Sequence, residues 1–302
     1  LDTFFLSYDE PNAEENWIHA KKLIPNLKRL HGAEGFDKAY KLCATMSSTP
    51  YYVTIDADNR VRWEFKQACV EVEPHVSAYS WGAMNSLNHL VYGNGGIKCW
   101  QRSHALSMRT HEATDNQADA LDFCWSMTYQ KCPDILSDVM MNSDAFHAFR
   151  AGFREGVKMS LDHGQKQPAS AIQERCRRNL ITMNLKRLGV WCSVGADKPF
   201  GLWAILGARL GCISTFEPDF PTEKISDYRW FEQLWNTPIK LPFSEQNHPP
   251  PHLWEESRLR DTIEQIGTLI FNKLGIPLAL LEGTDNDFYR YAIVHPARKG
   301  LQ

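Results

Sequence analysis

Two carboxylates close the run Tyr51-Tyr52-Val53-Thr54-Ile55-Asp56-Ala57-Asp58-Asn59. At spacing i, i+2 in extended chain, Asp56 and Asp58 point the same way and can share one ligand. Close carboxylates repel, and a hard divalent cation such as Mg²⁺ or Mn²⁺ offsets that repulsion through oxygen ligation. Such a cation keeps coordination positions open for a diphosphate. The plainer alternative is a strand-end turn with no ligand. A second copy of the pattern, Asp285-Asn286-Asp287, serves as an internal control. It follows the turn formers Glu282-Gly283-Thr284 and reads as a solvated loop.

Further candidates follow along the chain. Tyr92-Gly93-Asn94-Gly95-Gly96-Ile97-Lys98 sets three glycines in four positions, which lets backbone approach a ligand closely. Asn94-Gly95 equally favours a type I′ hairpin turn. From His147 to Arg187 there are nine Lys and Arg against three acids, a net +6 in a chain of net −3. Within it Arg150, Arg154 and Lys158 recur every fourth residue, one face of a helix that can track a phosphate backbone or simply meet water. Eight cysteines are scattered without a CxxC pair, as expected of buried thiols in a reducing compartment. No signal peptide opens the sequence, and no apolar run reaches the ~18 residues that span a bilayer. The longest, Phe200 to Phe216, is interrupted by Arg209 and several glycines. A cytoplasmic protein without a membrane partner is therefore expected.

The elements that must position these residues read as an α/β fold. The five β-favouring residues before Asp56 predict a strand buried on both faces, as in a mostly parallel sheet. Strands end at a ligand crevice in such sheets, so Asp56 and Asp58 emerge there. Thr3 to Tyr8 predicts a first strand, Glu14 to Ile24 a helix stopped by Pro25, and Leu27 to Leu30 a second strand. Phe36 to Met46 predicts a helix whose amino end faces the crevice, a place for phosphate. This alternation is that of a nucleotide-binding half. Arg62-Trp63-Glu64-Phe65 reads as another strand. Arg187 to Ile205 reads as a strand, a turn and a buried helix. Leu253 to Leu274 predicts a long amphipathic helix before Gly275-Ile276-Pro277, and Ala292 to Gln302 a frayed tail. The expected division is a nucleotide-binding core over 1–130 and a helix-rich part over 131–302.

Gly35-x-x-x-Ala39 with its helix, followed by Tyr51 to Asp58, resembles the nucleotide-sugar domain of GT-A glycosyltransferases. Longer stretches sharpen the likeness: Phe5-Leu6-Ser7-Tyr8-Asp9-Glu10-Pro11-Asn12-Ala13-Glu14, Tyr92 to Lys98, and Ala148 to Lys158. Together they resemble the phage glycosyltransferases that decorate 5-hydroxymethylcytosine in DNA, notably the arabinosyltransferases of T-even-like phages. The likeness runs from residue 3 to roughly residue 215. It implies a GT-A-like mixed sheet flanked by helices, with a mainly helical C-terminal part. It also implies a UDP-sugar donor, Mn²⁺ or Mg²⁺, and hydroxymethylated DNA as acceptor.

By that resemblance Ser7, Tyr8, Asp9, Glu10, His31, Gly32, Lys38, Asp56, Ala57, Asp58, Gly95 and Gly96 surround the donor. Trp81, Tyr92, Asn94, Lys98, Arg150, Arg154 and Lys158 fall to the acceptor. Asp9 and Asn12 remain readable as turn formers, and Lys38 as a solvated helix residue. Inverting GT-A enzymes place a base after the donor-side glycines, which makes Asp122 the first candidate, with Glu112 and Asp115 behind it. Asp122 lies in an apolar run, where burial raises a carboxyl pKa towards working pH. The family's third metal ligand, usually His, falls to His147, with His163 second. Two other readings compete. A haloacid-dehalogenase-type phosphatase needs Thr two residues past the second Asp, where this chain has Arg60, and its nucleophile follows the first strand. A non-catalytic DNA-binding module accounts for the basic stretch but not for the acid pair.

Overall fold

The computed structural model describes residues 1–92, 96–110 and 127–294, the last three by backbone alone. Two compact units divide the chain, Leu1–Met141 and Asn142–Gln302.

In the first unit β1 (Asp2–Ser7), α1 (Ala13–Leu23), β2 (Lys28–His31), α2 (Phe36–Met46) and β3 (Tyr51–Asp56) alternate as expected. β4 (Asn59–Val61), β5 (Ala78–Asn85), β6 (Val91–Tyr92), β7 (Ile97–Gln101), α3 (Arg102–Ser107) and β8 (Tyr129–Val139) complete it. The sheet runs β2-β1-β3-β7-β5-β8-β4, with β6 beside β5. β1 pairs in parallel with β2 and β3, whereas β7 is antiparallel to β3 and β5, so the sheet is mixed.

Alternation along the strands feeds two cores. Phe5, Val53, Ile55, Ile97 and Cys99 bury one face with Ala13 and Ala20 of α1. Phe4, Tyr52 and Trp100 bury the other with Tyr40, Cys43 and Ala44 of α2. β3 is covered on both sides, which is why its sequence carries no polar alternate. Its buried hydroxyls are partnered: Thr54 Oγ1 accepts from the Trp100 indole at 2.9 Å, and the Tyr52 hydroxyl donates to the Tyr40 carbonyl at 3.1 Å.

Three expectations need correction here. Arg62–Phe65 is not a strand: β4 ends at Val61, and Trp63–Gln67 turns into a 3₁₀ helix. Arg62 still donates its N–H to the Leu136 carbonyl of β8 at 2.8 Å and pairs Asp138 at 2.5 Å, while Trp63 faces solvent. Asn94-Gly95 lies outside the described residues, but the strands before and after it do not pair with each other as a hairpin requires. β6 and β7 both run antiparallel to β5, at Ala83↔Tyr92 and Ser80↔Lys98, so they follow one path in one direction. The third correction concerns the acid pair. β3 stops at Asp56 and Ala57–Asp58 form a turn, so a tight turn, and not strand alternation, sets the geometry of the two acids.

The second unit is helical: α4 (Ala145–Ser160), α5 (Ala169–Arg177), α6 (Met183–Trp191), α7 (Gly201–Thr215), α8 (Tyr228–Asn236), α9 (Glu256–Leu274) and α10 (Thr284–Val294), with a small ribbon of β9 (Ile239–Lys240) and β10 (Asn247–His248). The strand expected near Val190 is instead the end of α6. Leu185, Leu188 and Trp191 keep helical spacing on its buried side, and Thr182 caps it by accepting from the Leu185 N–H. The control pair Asp285/Asp287 is not a loop either. Both acids stand exposed in the first turn of α10, where negative charge suits the helix dipole. Between them Asn286 is buried, accepting from the Gly195 N–H at 2.9 Å and donating to Asp197 at 2.8 Å.

α4 and α7 pack backbone to backbone. A Cβ on Gly152 or Gly156 would overlap the carbonyls of Ala204 and Ala208, and one on Gly207 or Gly211 those of Phe149 and Phe153. Beside this pair Arg209 is 1% exposed. Its guanidinium donates to the carbonyls of Cys192 (2.8 Å), Ile263 (2.7 Å) and Ala279 (3.1 Å). Burial lowers its pKa, and the fork of donors satisfied by backbone is what lets the charge stay inside. Among the described residues no helix is long and apolar enough to cross a membrane.

The helix contact yields a test. In Gly156→Ala the added methyl meets the Ala208 carbonyl, which cannot swing aside as a side chain would. Overpacking of this kind typically costs about 1–3 kcal/mol. A lowered thermal midpoint with unchanged far-UV circular dichroism is the expected result, and an unchanged midpoint would show that the helices separate freely.

Candidate functional site

The ends of β1, β2 and β3 come together because their ladders are in register, Ser7↔His31 and Leu6↔Asp56. Ser7 is buried, with its Oγ 3.0 Å from His31 Nδ1 and accepting from Arg29 Nε at 3.0 Å. The Gly32 N–H donates to the Ser7 carbonyl at 3.0 Å, and open space surrounds the Gly32 Cα at φ +74°. Tyr8 and Asp9 are exposed, and the Tyr8 N–H donates to Glu10 Oε2 at 2.8 Å. Lys38 is exposed on α2, two residues beyond Phe36, whose ring stacks on Tyr40 at 5.8 Å. In the turn leaving β1 both amide atoms of Asn12 are buried without a partner among the described residues.

Asp56 is the most perturbed carboxylate of this end. Burial, with the charges of Asp58 and Glu10 added, pushes its pKa up to about 7, against the opposing pull of Lys98 and a hydrogen bond from Tyr40. The charges of Asp58 and Glu10 thus act on Asp56. Lys98, assigned by sequence to the acceptor, stands on β7 opposite Thr54, where its charge acts on Asp56.

The turn carrying Asp58 is tied down on every side. The Asp56 N–H donates to the Gly96 carbonyl at 2.8 Å, and the Met140 N–H to the Asp58 carbonyl at 2.7 Å. Asn16 of α1, itself buried, donates to the Ala57 carbonyl at 2.8 Å. Asn59 donates to Asp58 Oδ1 at 2.6 Å and accepts from Ser137 Oγ at 2.7 Å. A Cβ on Gly96 would overlap the Asn59 amide, so the last glycine of the Gly-rich stretch makes room for that amide. Sequence reasoning missed Asn16, Tyr40, Asn59 and Ser137. Only Asn59, adjacent to Asp58, was within reach of a local signal.

Two crowded carboxylates with a third beside them form a hard, anionic donor set that a divalent cation suits. Asp56 and Asp58 would hold it. Among the described residues no group of three or more His, Cys, Asp or Glu side chains forms a cage for a metal.

Other assigned residues stand elsewhere. Trp81 is packed into the core at 4% exposure with its indole N–H unpaired among the described residues, and Trp100 is fully buried, so neither offers a face to a base. Tyr92 is half-buried on β6, opposite Ala83. Asp122, Glu112, Asp115, Asn94 and Gly95 lie outside the described residues. In the second unit His147 begins α4, its N–H and Nδ1 both engaged by the capping Asp144, at 2.8 and 2.7 Å. His163 is exposed, its Nδ1 2.9 Å from Asp162 Oδ1. Arg150, Arg154 and Lys158 do share a face of α4, but each is partly buried. The Arg150 guanidinium sits 4.4 Å from the Tyr228 ring centre, and Lys158 Nζ 4.0 Å from Glu155.

No protein-family model matches the chain, and no curated protein matches it in sequence. Among solved structures it is similar to the mannosyltransferase PcManGT from Pyrobaculum calidifontis in complex with GDP-Man and Mn²⁺. That likeness has 12% identity and a TM-score of 0.34, over 89% of this chain and 86% of that one. It is also similar to residues 1–349 of S. aureus TarS, at 10% identity and a TM-score of 0.34, over 82% of this chain and 98% of that one.

The raised pKa of Asp56 makes stability fall with pH. The unfolded carboxyl loses its proton near pH 4 and the folded one at about 7. The penalty is therefore absent at low pH, grows between these values and is complete above them, approaching ~4 kcal/mol at ~1.4 kcal/mol per pH unit. Asp56→Asn stays neutral throughout. In chelator it should melt well above the wild type at about pH 8 and close to it at about pH 4. A difference that does not vary with pH would show that Asp56 keeps its charge in the fold.

Proposed function

We propose that the chain is a divalent-cation-dependent glycosyltransferase with a GT-A-like donor half. In the fuller reading it moves a sugar, arabinose by sequence resemblance, from a UDP-sugar to the hydroxymethyl group of 5-hydroxymethylcytosine in DNA. The observation that carries the reading is the crowding of Asp56, Asp58 and Glu10 where parallel strands end. A bound cation supplies Lewis acidity to a diphosphate leaving group. Asp56 and Asp58 offer it oxygens, while Ser7, His31 and Gly32 border the same strand ends and Tyr8 offers an exposed ring. Asp122 is the proposed base for the acceptor hydroxyl, with Glu112 and Asp115 as alternatives. Such a base typically contributes ~10²–10⁴-fold. His147, with Nδ1 held by Asp144, is the proposed third ligand. A haloacid-dehalogenase-type phosphatase fits less well, because the acids follow β3 and not β1.

DNA as acceptor is favoured by the +6 stretch from His147 to Arg187 and by the phage-enzyme resemblance. A target base flipped from the stack would cost a few kcal/mol. With Trp81 and Trp100 in the core, Tyr92 is the aromatic left to meet it. A second reading, a glycosyltransferase with a different acceptor, is favoured by the partial burial of Arg150, Arg154 and Lys158. Of the nine positive residues, Lys166, Arg177 and Arg178 are exposed, yet Lys166 donates to the Glu217 carbonyl at 2.8 Å and Arg177 pairs Glu174 at 2.7 Å.

UDP with Mn²⁺ should raise the melting temperature, and UDP with chelator should not. Asp58→Asn should fold normally yet lose transfer, while Asp285→Asn remains fully active. Full transfer by Asp58→Asn would end the cation reading. The acceptor is decided by offering UDP-sugars to hydroxymethylated DNA, unmodified DNA and the free hydroxymethyl-nucleotide, then weighing the digested nucleosides by mass spectrometry. Labelling confined to hydroxymethylated DNA is expected. A log–log salt slope of ~0.9 per phosphate contact should accompany it and flatten in Arg154→Ala. Labelling of none of the three acceptors would favour the second reading.

A further inference from the structure

The two carboxylates of the turn are held differently. Asp56 takes a hydrogen bond from Tyr40 of α2 and feels the charge of Lys98 on β7. Asp58 is held by the residue next to it. The Asn59 side chain is 1% exposed and Ser137 is fully buried, so the chain Ser137 Oγ–Asn59–Asp58 runs from the interior to the turn. Its polarity is determined. Asn59 presents its N–H₂ to Asp58 Oδ1 and its carbonyl to the serine hydroxyl, which donates. The amide cannot rotate away without losing both bonds, and Gly96, lacking a Cβ, leaves the space it occupies. The strand pairs Asn59↔Val139 and Val61↔Ser137 fix the backbones that carry the two side chains.

A turn residue needs none of this merely to be a turn. The Asp58 main chain is already held by Met140 and that of Ala57 by Asn16. What the relay adds is control of a side-chain carboxylate. We propose that Asn59 and Ser137 are positioning residues that fix the orientation of Asp58 before a cation arrives, so that the ligand oxygen is preorganised. This rests on the reading of Asp56 and Asp58 as cation ligands. Outer-shell partners of metal-ligating carboxylates typically contribute ~10–100-fold in metal affinity.

The test measures Mn²⁺ binding directly, by the electron paramagnetic resonance signal of free Mn²⁺ in the presence of UDP, for the full chain. Asn59→Ala and Ser137→Ala should each weaken Mn²⁺ by ~10-fold or more. The double variant should be no weaker than Asn59→Ala, because Ser137 acts only through that amide. Near-UV circular dichroism and thermal unfolding establish that each variant is folded. Ser137→Cys, close in size, takes the place of Ser137→Ala should the latter not fold. Unchanged Mn²⁺ affinity in the folded single variants would overturn the proposal, as would losses that simply add in the double variant. Failure of both Ser137 variants to fold would assign the relay to stability and overturn it equally. A wild-type protein that binds no Mn²⁺ with UDP would instead remove the cation reading itself, a result distinct from any of these.

Discussion

Like-charge repulsion that the backbone will not let relax is the constraint around which the first unit is built. Asp56, Asp58 and Glu10 are brought to one end of the sheet by ladder register and by a two-residue turn. Asp56 and Asp58 cannot retreat, since the main chain of their turn is bonded to Gly96, Met140 and Asn16. Burial first, and then the charges of Asp58 and Glu10, raise the pKa of Asp56, while Lys98 and Tyr40 offset part of that rise. A flexible loop bearing the same acids would splay and keep each near its ordinary pKa. Rigidity converts three ordinary side chains into a site with a standing demand for positive charge, met by a proton or by a cation.

The second unit solves a different problem. Four glycines let α4 and α7 approach until main chain meets main chain, the arrangement small residues permit where helices must come very close. The basic residues Arg150, Arg154 and Lys158 lie offset by two from Gly152 and Gly156, on the other side of α4. That side is not bare: Tyr228 covers Arg150, and Glu155 approaches Lys158. Long cationic side chains here lay their stems along apolar surface and keep their heads near its rim.

How much of this could be read from the sequence depends on how far apart the cooperating residues are. β3 and its acids were legible, because a run of Tyr, Val, Thr and Ile ending in Asp is a local signal. The alternation of β1, α1, β2 and α2 was legible for the same reason. Tyr40 and Ser137 were not, since they reach the acid turn from α2 and β8, which no local pattern connects to it. The spacing of Arg150, Arg154 and Lys158 announced a helix face but not what covers it, for Tyr228 comes from α8. The Arg62–Phe65 stretch and Val190 misled by composition. Aromatic and β-branched residues suggested strand, and in the one case an ion pair to Asp138, in the other a helical apolar period, decided otherwise. At Asp285 the turn formers Gly283 and Thr284 proved to be the start of a helix.

Arg209 has a bearing on how the chain can be handled. Its guanidinium gathers carbonyls from residues 192, 263 and 279, and Asn286 returns to bond Gly195 and Asp197. The segment beyond Leu274 is therefore part of the interior wiring of the second unit, although it reads as an appendage after a long helix. A chain trimmed at Gly275 would leave a buried cation short of an acceptor and Asp197 short of a donor. Boundaries for shortened versions, fusions or permutations of this protein belong after α10 and not before it.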